Sequence, residues 1–402
     1  MKDTVFDLNR LIHPIDPQAF KRDYWEKQPL IVRRGSSSYY RDLLSLADVD
    51  QILSVSSIRP PQIRVVYEGK DVPLNSAAAD ALVGATRVLE SLYAEYRRGA
   101  TIVLQFLHER WEPLARLCRT LSSEFSASFQ TNVYLTPARE RALGTHYDTH
   151  DVFVLQAEGS KHWRIYEAEP IRLPLGGQPY DRQQMKPGRL REEFDLHAGD
   201  LVYIPRGWMH DATSRDSTSL HLTVGANTIT WAAVILRAVE SVIEREPCFR
   251  ESLPPGFALR EELRRSAEAK LTDLLARLIG RIEPASLLDE AVREALAREQ
   301  PVLDGHLLDL ERVSQISLET RVRRRPEIQW TLEADADVAT LYFHGKIVQT
   351  PSYTERDLRF MSAANEFTPA DLPGELDDEG KLLLVKQLVR EGFLTIGDRV
   401  LP

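Results

Sequence analysis

The chain has 402 residues, 43% hydrophobic and 28% charged, with a net charge of −9; that is length for two or three domains with a large core. The negative balance argues against a broad nucleic-acid-binding surface and suits a basic partner, although it equally serves solubility. Cys118 and Cys248 stand far apart, outside any CxxC pair, and no apolar run approaches a membrane span or a secretory leader; a disulfide framework, a thiolate zinc site and a membrane span are not expected, and a cytoplasmic location is.

The first elements mix helix and strand. Asp16 is a candidate N-cap with Pro17 at the first helical position, so residues 16–28 read as a helix. Residues 30–34 read as a strand, 45–54 as a helix and 62–69 as a strand ending in a turn. A long amphipathic helix follows over 77–98, interrupted at Gly84, then a buried strand over 100–107 and a helix over 110–125. From 128 to 231 short β-rich runs alternate with turns, as in "SFQTNVYLTP", "DVFVLQAEG", "KHWRIYEA", "GDLVYIPRG" and "SLHLTVGANT". That spacing indicates a β-sandwich or barrel, with Gly159, Gly199 and Gly207 at strand junctions.

Helices take over from 232 to about 300. Apolar residues recur there at three- and four-residue spacing, Pro254 and Pro255 separate two segments, and Ser286 is a candidate N-cap for 286–299. Apolar faces on paired helices need a partner, which suggests a dimer interface. The last hundred residues combine a β-hairpin pair with a helix running into a strand, a small α+β unit of the winged-helix kind. Few basic residues concentrate after 347, so direct nucleic-acid binding is not expected of it.

The stretch "GTHYDTHDVFVLQ" (144–156) carries three potential metal ligands at alternate positions, His146, Asp148 and His150. A zinc-protease helix would need a glutamate directly after the first histidine, where Tyr147 stands, and the following β-branched residues favour a strand. On a strand the three side chains share a face, but the two histidines lie about 13 Å apart, too far for one ion. One of them pairs with Asp148, and a third ligand must come from elsewhere. "AGDLVYIPRGWMHD" (198–211) offers His210 after two tight turns. Two imidazoles and one carboxylate make the facial triad of non-haem Fe(II) oxygenases, with positions left open for co-substrate and O₂.

"THYDTHDVFVLQAEGSKHWRIY" together with "GDLVYIPRGWMHDA" resembles the cupin-type Jumonji C oxygenases, in particular the ribosomal oxygenases. The likeness extends to "FKRDYWEKQPLIVRR", "NVYLTP" and "CFRESLPPGF", and so spans nearly the whole chain. It implies an α+β protein in three parts: a double-stranded β-helix (cupin, jelly-roll) oxygenase domain over 1–229, a helical dimerisation region over 230–304 and a winged-helix-like domain over 305–402. It implies an Fe(II)- and 2-oxoglutarate-dependent protein hydroxylase, using O₂, acting on an arginine or histidine of a ribosomal protein, and assembled as a homodimer.

The resemblance also selects His146, with Asp148 and His210, as the iron ligands, which leaves His150 a neighbour of the site. Lys161 and Thr223 match the groups that hold the distal carboxylate of 2-oxoglutarate; a buried dianion needs a cation and fixed donors. By residue type alone Lys161 reads as a solvated turn residue. Asn132 and Tyr134 match substrate-pocket positions, with packing the alternative. The chain departs from the pattern at Gly225, where related sequences carry a small polar residue, and has no asparagine four residues after His210. Rival readings are an N-methyl-lysine demethylase, a non-catalytic winged-helix binding protein, and a metal-dependent cupin of another reaction type such as an isomerase.

Overall fold

A computed structural model describes residues 6–56, 58–74, 81–140, 143–167, 171–178, 180–181, 185–301 and 303–397, with side chains from Val88 onward in the helix that begins at Ala81. The chain divides into two compact units, Met1–Thr228 and Ile229–Pro402.

The first unit opens with helices α1 (Leu8–Ile12) and α2 (Pro17–Asp23), strand β1 (Leu30–Val32), helix α3 (Leu46–Val55), strands β2 (Ile63–Tyr67) and β3 (Lys70–Val72), helix α4 (Ala81–Arg97), strand β4 (Thr101–Leu104) and helix α5 (Glu112–Phe125). Asp16 caps α2 by accepting from the Gln18 and Ala19 amides, with Pro17 in the first turn, as its sequence signature predicts. Seven strands follow: β5 (Ser128–Thr136), β6 (Asp151–Glu158), β7 (Ser160–Tyr166), β8 (Leu190–His197), β9 (Leu201–Ile204), β10 (His210–Ser214) and β11 (Ser219–Asn227). They build an eight-stranded sheet in the order β1-β9-β6-β11-β5-β4-β2-β3 and a three-stranded sheet in the order β10-β7-β8.

Strand β6 shows why its sequence is an apolar run. Val152 and Val154 point one way, into a cluster with Trp163, Ile165, Phe194, Leu196 and Trp208 of the smaller sheet and its approaches. Phe153 and Leu155 point the other way, into the main core with Phe20 of α2 and Leu114, Leu117 and Leu121 of α5. Period-two alternation thus buries both faces. Strand β8 escaped the sequence reading because its first half is exposed and only Phe194 and Leu196 alternate inward. Strand β3 is equally short of apolar signal.

At the edge of the β6 face, Arg206 is buried between Asp151 (2.7 Å) and Glu26 (2.6 Å), and the Tyr203 hydroxyl donates to Asp151 (2.8 Å). Charge on the core side is therefore paired and hydrogen-bonded, the condition for burying it.

The second unit begins with helices α6 (Trp231–Arg245), α7 (Glu261–Gly280), α8 (Pro284–Ala297) and α9 (His306–Arg312). Ser286 lies inside α8, whose N-cap is Glu283 with Pro284 in the first turn, so the candidate cap at 286 falls three residues too late. Next come β12 (Val322–Arg324), β13 (Thr331–Ala334), β14 (Val338–Phe343), β15 (Lys346–Pro351), α10 (Glu355–Ala363), α11 (Asp378–Glu391) and β16 (Leu394–Ile396). Strands β13-β14-β15 form a meander and β12 pairs with β16. Leu341, Phe343, Leu358, Met361, Val385, Leu388 and Phe393 make its core.

Candidate metal centre

The stretch with the alternate ligands is a loop where a strand was expected. Residues 143–150 pair with the sheet only through an isolated bridge, His146 to His210, and β6 starts at Asp151. The loop is held by other bonds. The His146 amide donates to the His210 carbonyl (3.1 Å), the His210 amide donates to the His146 carbonyl (2.8 Å), and the Gly207 amide donates to the Asp148 carbonyl (3.0 Å). Gly207 has φ +90°, and a Cβ there would sit 2.4 Å from the Ile171 carbonyl oxygen, so the turn before β10 requires glycine.

A side-chain tie adds to this. Asp211, buried on β10, accepts from the Thr145 hydroxyl (2.7 Å), the Tyr166 hydroxyl (2.8 Å) and the Arg164 Nε (2.9 Å). Thr145 and Asp211 flank His146 and His210 in sequence, so this network fixes one histidine against the other.

His146, Asp148 and His210 come together with one ligand atom each inside 4.8 Å of one another. His146 Nε2 stands 3.8 Å from Asp148 Oδ1, and His210 Nε2 stands 3.7 Å from Asp148 Oδ2. The tautomers follow from the outer bonds. Nδ1 of His146 meets the Gly144 carbonyl (2.8 Å) and Nδ1 of His210 meets the Trp208 carbonyl (3.0 Å). A carbonyl only accepts, so each Nδ1 carries the proton and each Nε2 lone pair faces its neighbours, the arrangement a metal ligand needs. Burial, helped by the His146 charge, lowers the His210 pKa to about 4, so its ring is neutral at pH 7. Burial pushes the Asp148 carboxyl up, but the charges of His146, His150 and His210 outweigh it and hold the group below its ordinary range. Two imidazoles with their Nε2 atoms turned to the site and one carboxylate fit a divalent transition metal with open coordination positions.

These residues line a cavity of about 110 Å³ that extends between the two sheets to Lys161. Lys161 is 2% exposed, which removes the solvated-turn reading. Its Nζ donates to the Thr136 hydroxyl (3.1 Å) and meets His221 Nδ1 (3.4 Å), and burial lowers its pKa to about 7. Thr223, Asn132 and Tyr134 line the same cavity. The Thr223 hydroxyl donates to the Asn132 carbonyl (3.4 Å), and Asn132 Oδ1 accepts from the Phe106 amide (3.0 Å). Burial, and then the Asp148 charge, push the Tyr134 hydroxyl up to about 12.

His150 stays outside the three-ligand group but lines the cavity, its Nδ1 buried without a hydrogen-bond partner. Its Nε2 would lie 3.3 Å from a Cβ at position 225, so Gly225 makes room for the ring. Sequence reasoning missed His221, Trp163 and Asp211 on the cavity wall. A signal existed for His221: it lies two residues before Thr223 on one strand and therefore shares its face. For Asp211 there was none, because its partners are 45 to 66 residues away.

Comparison with known proteins bears out the likeness read from the sequence. Residues 105–234 match the JmjC domain family. The chain is 35% identical over 221 residues to the bifunctional lysine-specific demethylase and histidyl-hydroxylase NO66 of Drosophila persimilis, covering 54% of this chain and 31% of that protein. It is 28% identical over 292 residues to ribosomal oxygenase 2 of Mus musculus, covering 68% of this chain and 59% of that one. The chain thus spans between a third and three fifths of these relatives' length.

Among solved structures, Escherichia coli YcfD superposes with a TM-score of 0.56 at 17% identity, over 95% of this chain and 98% of that one. A second structure, of that ribosomal oxygenase in complex with cobalt and 2-oxoglutarate, gives 0.52 at 16% identity over the same shares. The mixed helix-and-sheet JmjC fold is shared; at this identity the likeness is one of fold.

Proposed function

We propose that this chain, which carries a JmjC domain at residues 105–234, is an Fe(II)- and 2-oxoglutarate-dependent oxygenase that hydroxylates an arginine or histidine side chain of a ribosomal protein. The observation that carries the reading is one cavity with a His146–Asp148–His210 donor set at one part and, at another, a buried lysine that no carboxylate among the described residues pairs with. His146, Asp148 and His210 would hold the iron. When bound, iron supplies the oxidation chemistry by which O₂ and 2-oxoglutarate yield succinate, CO₂ and an oxygen inserted into a C–H bond.

The remaining work belongs to the chain. The Lys161 ammonium holds the distal carboxylate by charge, and the Thr223 hydroxyl, turned away from its long 3.4 Å contact with the Asn132 carbonyl, holds it by a directed hydrogen bond. The walls of Val152, Val154 and Trp163 shut bulk water from that end, which strengthens the ion pair. Asn132 has its Oδ1 occupied by the Phe106 amide, so its NH₂ is the half that faces a substrate, beside the Tyr134 hydroxyl. A basic side chain suits an enzyme of net charge −9.

The expected parts are an oxygenase domain over 1–229, a dimerisation region over 230–304 and a winged-helix-like domain over 305–402. Support for a homodimer is the exposed apolar face of α6 and α7: Trp231, Ile235, Leu236, Leu271, Leu275 and Ile279 are each more than half exposed. The 20-residue α7 has no buried residue. A face of this kind is stable in water when a second copy covers it. No helix among the described residues is long and apolar enough to cross a membrane.

The test is a panel of ribosomal-protein peptides incubated with the iron-loaded protein. A product heavier by one oxygen atom, absent without 2-oxoglutarate, is expected. Loss of a methylene from methyl-lysine peptides instead would move the chain to demethylation, half of the name its Drosophila persimilis relative bears. Retained hydroxylation in His146→Ala or Asp148→Ala would sink the metal assignment.

A further inference from the structure

The buried Lys161 raises a question of its own. Its amine can make three hydrogen bonds when protonated. Two are made within the chain, to Thr136 Oγ1 at 3.1 Å and His221 Nδ1 at 3.4 Å. Among the described residues no carboxylate pairs with it. We propose that His221 is a positioning residue that aims the Lys161 ammonium at an anionic co-substrate. The proposal rests on the 2-oxoglutarate reading above.

An ammonium only donates, so His221 Nδ1 accepts from it and the imidazole proton sits on Nε2. The ring is held in place on both sides. It stacks on Tyr134 with centroids 4.8 Å apart and planes 9° from parallel, and it meets Trp163 edge-on at 6.0 Å and 87°. Strand register fixes the first contact, since His221 of β11 lies directly opposite Tyr134 of β5. His221 is 4% exposed and neutral, its pKa held well below the ordinary value by burial and then by the Lys161 charge.

Neutrality is the useful property. An aspartate at this position would orient the lysine too, but would also cancel its charge and compete with an incoming carboxylate. A neutral acceptor locks the long lysine side chain and leaves both its charge and its third N–H for the ligand. Ordering that side chain beforehand removes a cost that binding would otherwise bear.

The experiment is a calorimetric titration of 2-oxoglutarate into the Mn(II)-loaded full-length chain. His221→Phe keeps the stacked ring and deletes the acceptor. It should weaken 2-oxoglutarate by roughly tenfold, the size of one hydrogen bond to a charged group, with Mn(II) affinity unchanged. His221→Asn, which offers an oxygen near the Nδ1 position, should recover most of the loss. In a Lys161→Met background, His221→Phe should have no further effect, because His221 acts through the lysine.

Unchanged 2-oxoglutarate binding in His221→Phe, or an undiminished effect in the Lys161→Met background, would overturn the proposal. Should His221→Phe not fold, imidazole ¹⁵N spectra of the Zn(II)-loaded wild type decide: a neutral Nε2–H ring is expected, and an Nδ1–H ring overturns it. A wild-type protein that binds Mn(II) but no 2-oxoglutarate would fail the co-substrate reading itself, a result distinct from wild-type binding left intact by His221→Phe.

Discussion

Replacing Lys161 by methionine should stabilise the metal-free protein while weakening its affinity for 2-oxoglutarate. The side chain is 2% exposed, and burial takes its pKa from 10.5 to about 7. At ~1.4 kcal/mol per pKa unit, holding this lysine at pH 7 costs on the order of 4 kcal/mol relative to the unfolded chain. The folded pKa lies below the unfolded one, so the unfolded chain binds more protons between the two values. The penalty is therefore fully present below pH 7 and fades as pH rises toward 10.5.

Methionine has nearly the same length and no charge to desolvate. It strands His221 Nδ1 and removes one of the two bonds that the Thr136 hydroxyl oxygen accepts, the other coming from Thr101, at a combined cost of about 1–2 kcal/mol. The difference leaves Lys161→Met more stable than wild type by ~2 kcal/mol at pH 6.5, with the gap closing by pH 9. Urea denaturation of both proteins at the two pH values measures it. In the Mn(II)-loaded protein the same change should weaken 2-oxoglutarate by about 2–5 kcal/mol, the usual loss when one partner of a buried charge pair is removed. A methionine variant less stable than wild type at pH 6.5, with 2-oxoglutarate affinity intact, would refute the reasoning.

Other outcomes can be checked with the same materials. On the proposed pairing of the ligand with the Lys161 ammonium, wild-type affinity for 2-oxoglutarate should fall by up to tenfold per pH unit above about 7; calorimetry in buffers of different ionisation enthalpy should show proton uptake on binding. Asp148→Ala should abolish Mn(II) binding while leaving the melting temperature of the metal-free protein within a few degrees. Arg206→Met leaves Asp151 buried without its cation and should cost about 3–5 kcal/mol in denaturant unfolding. Gly159→Ala places a Cβ 1.9 Å from the Thr218 carbonyl oxygen at φ +67° and should lower stability by more than ~1 kcal/mol. Leu275→Glu with Ile279→Glu should shift the chain from dimer to monomer in light scattering.

What the sequence disclosed depended on how local the signal was. Strands β6 and β11, buried on both faces, announced themselves as short β-rich runs between turns; β8 did not, because half of it faces solvent. The α2 cap was readable from an Asp-Pro pair, while the α8 cap was misplaced because Glu283 makes no side-chain capping bond to advertise it. Three candidate ligands stood at alternate positions, and pattern reasoning laid them on a strand. The carbonyl–amide exchange between His146 and His210 and the Gly207 bond to Asp148 make that segment a loop instead. Those partners are about 60 residues away, beyond any periodicity. His221 was reachable by strand parity from Thr223, yet its neighbour Lys161 comes from β7, a pairing that only the fold creates.

The backbone exchange between His146 and His210 bears on how the protein should respond to loss of its metal. The two peptide groups set the spacing of the imidazoles, and Gly144 and Trp208 set their orientation. A zinc finger, by contrast, collapses when its metal leaves. Here the ligand spacing is written into backbone bonds of the fold itself, so chelating the metal should leave the cooperative unfolding transition of this unit in place, the opposite of a zinc finger's response.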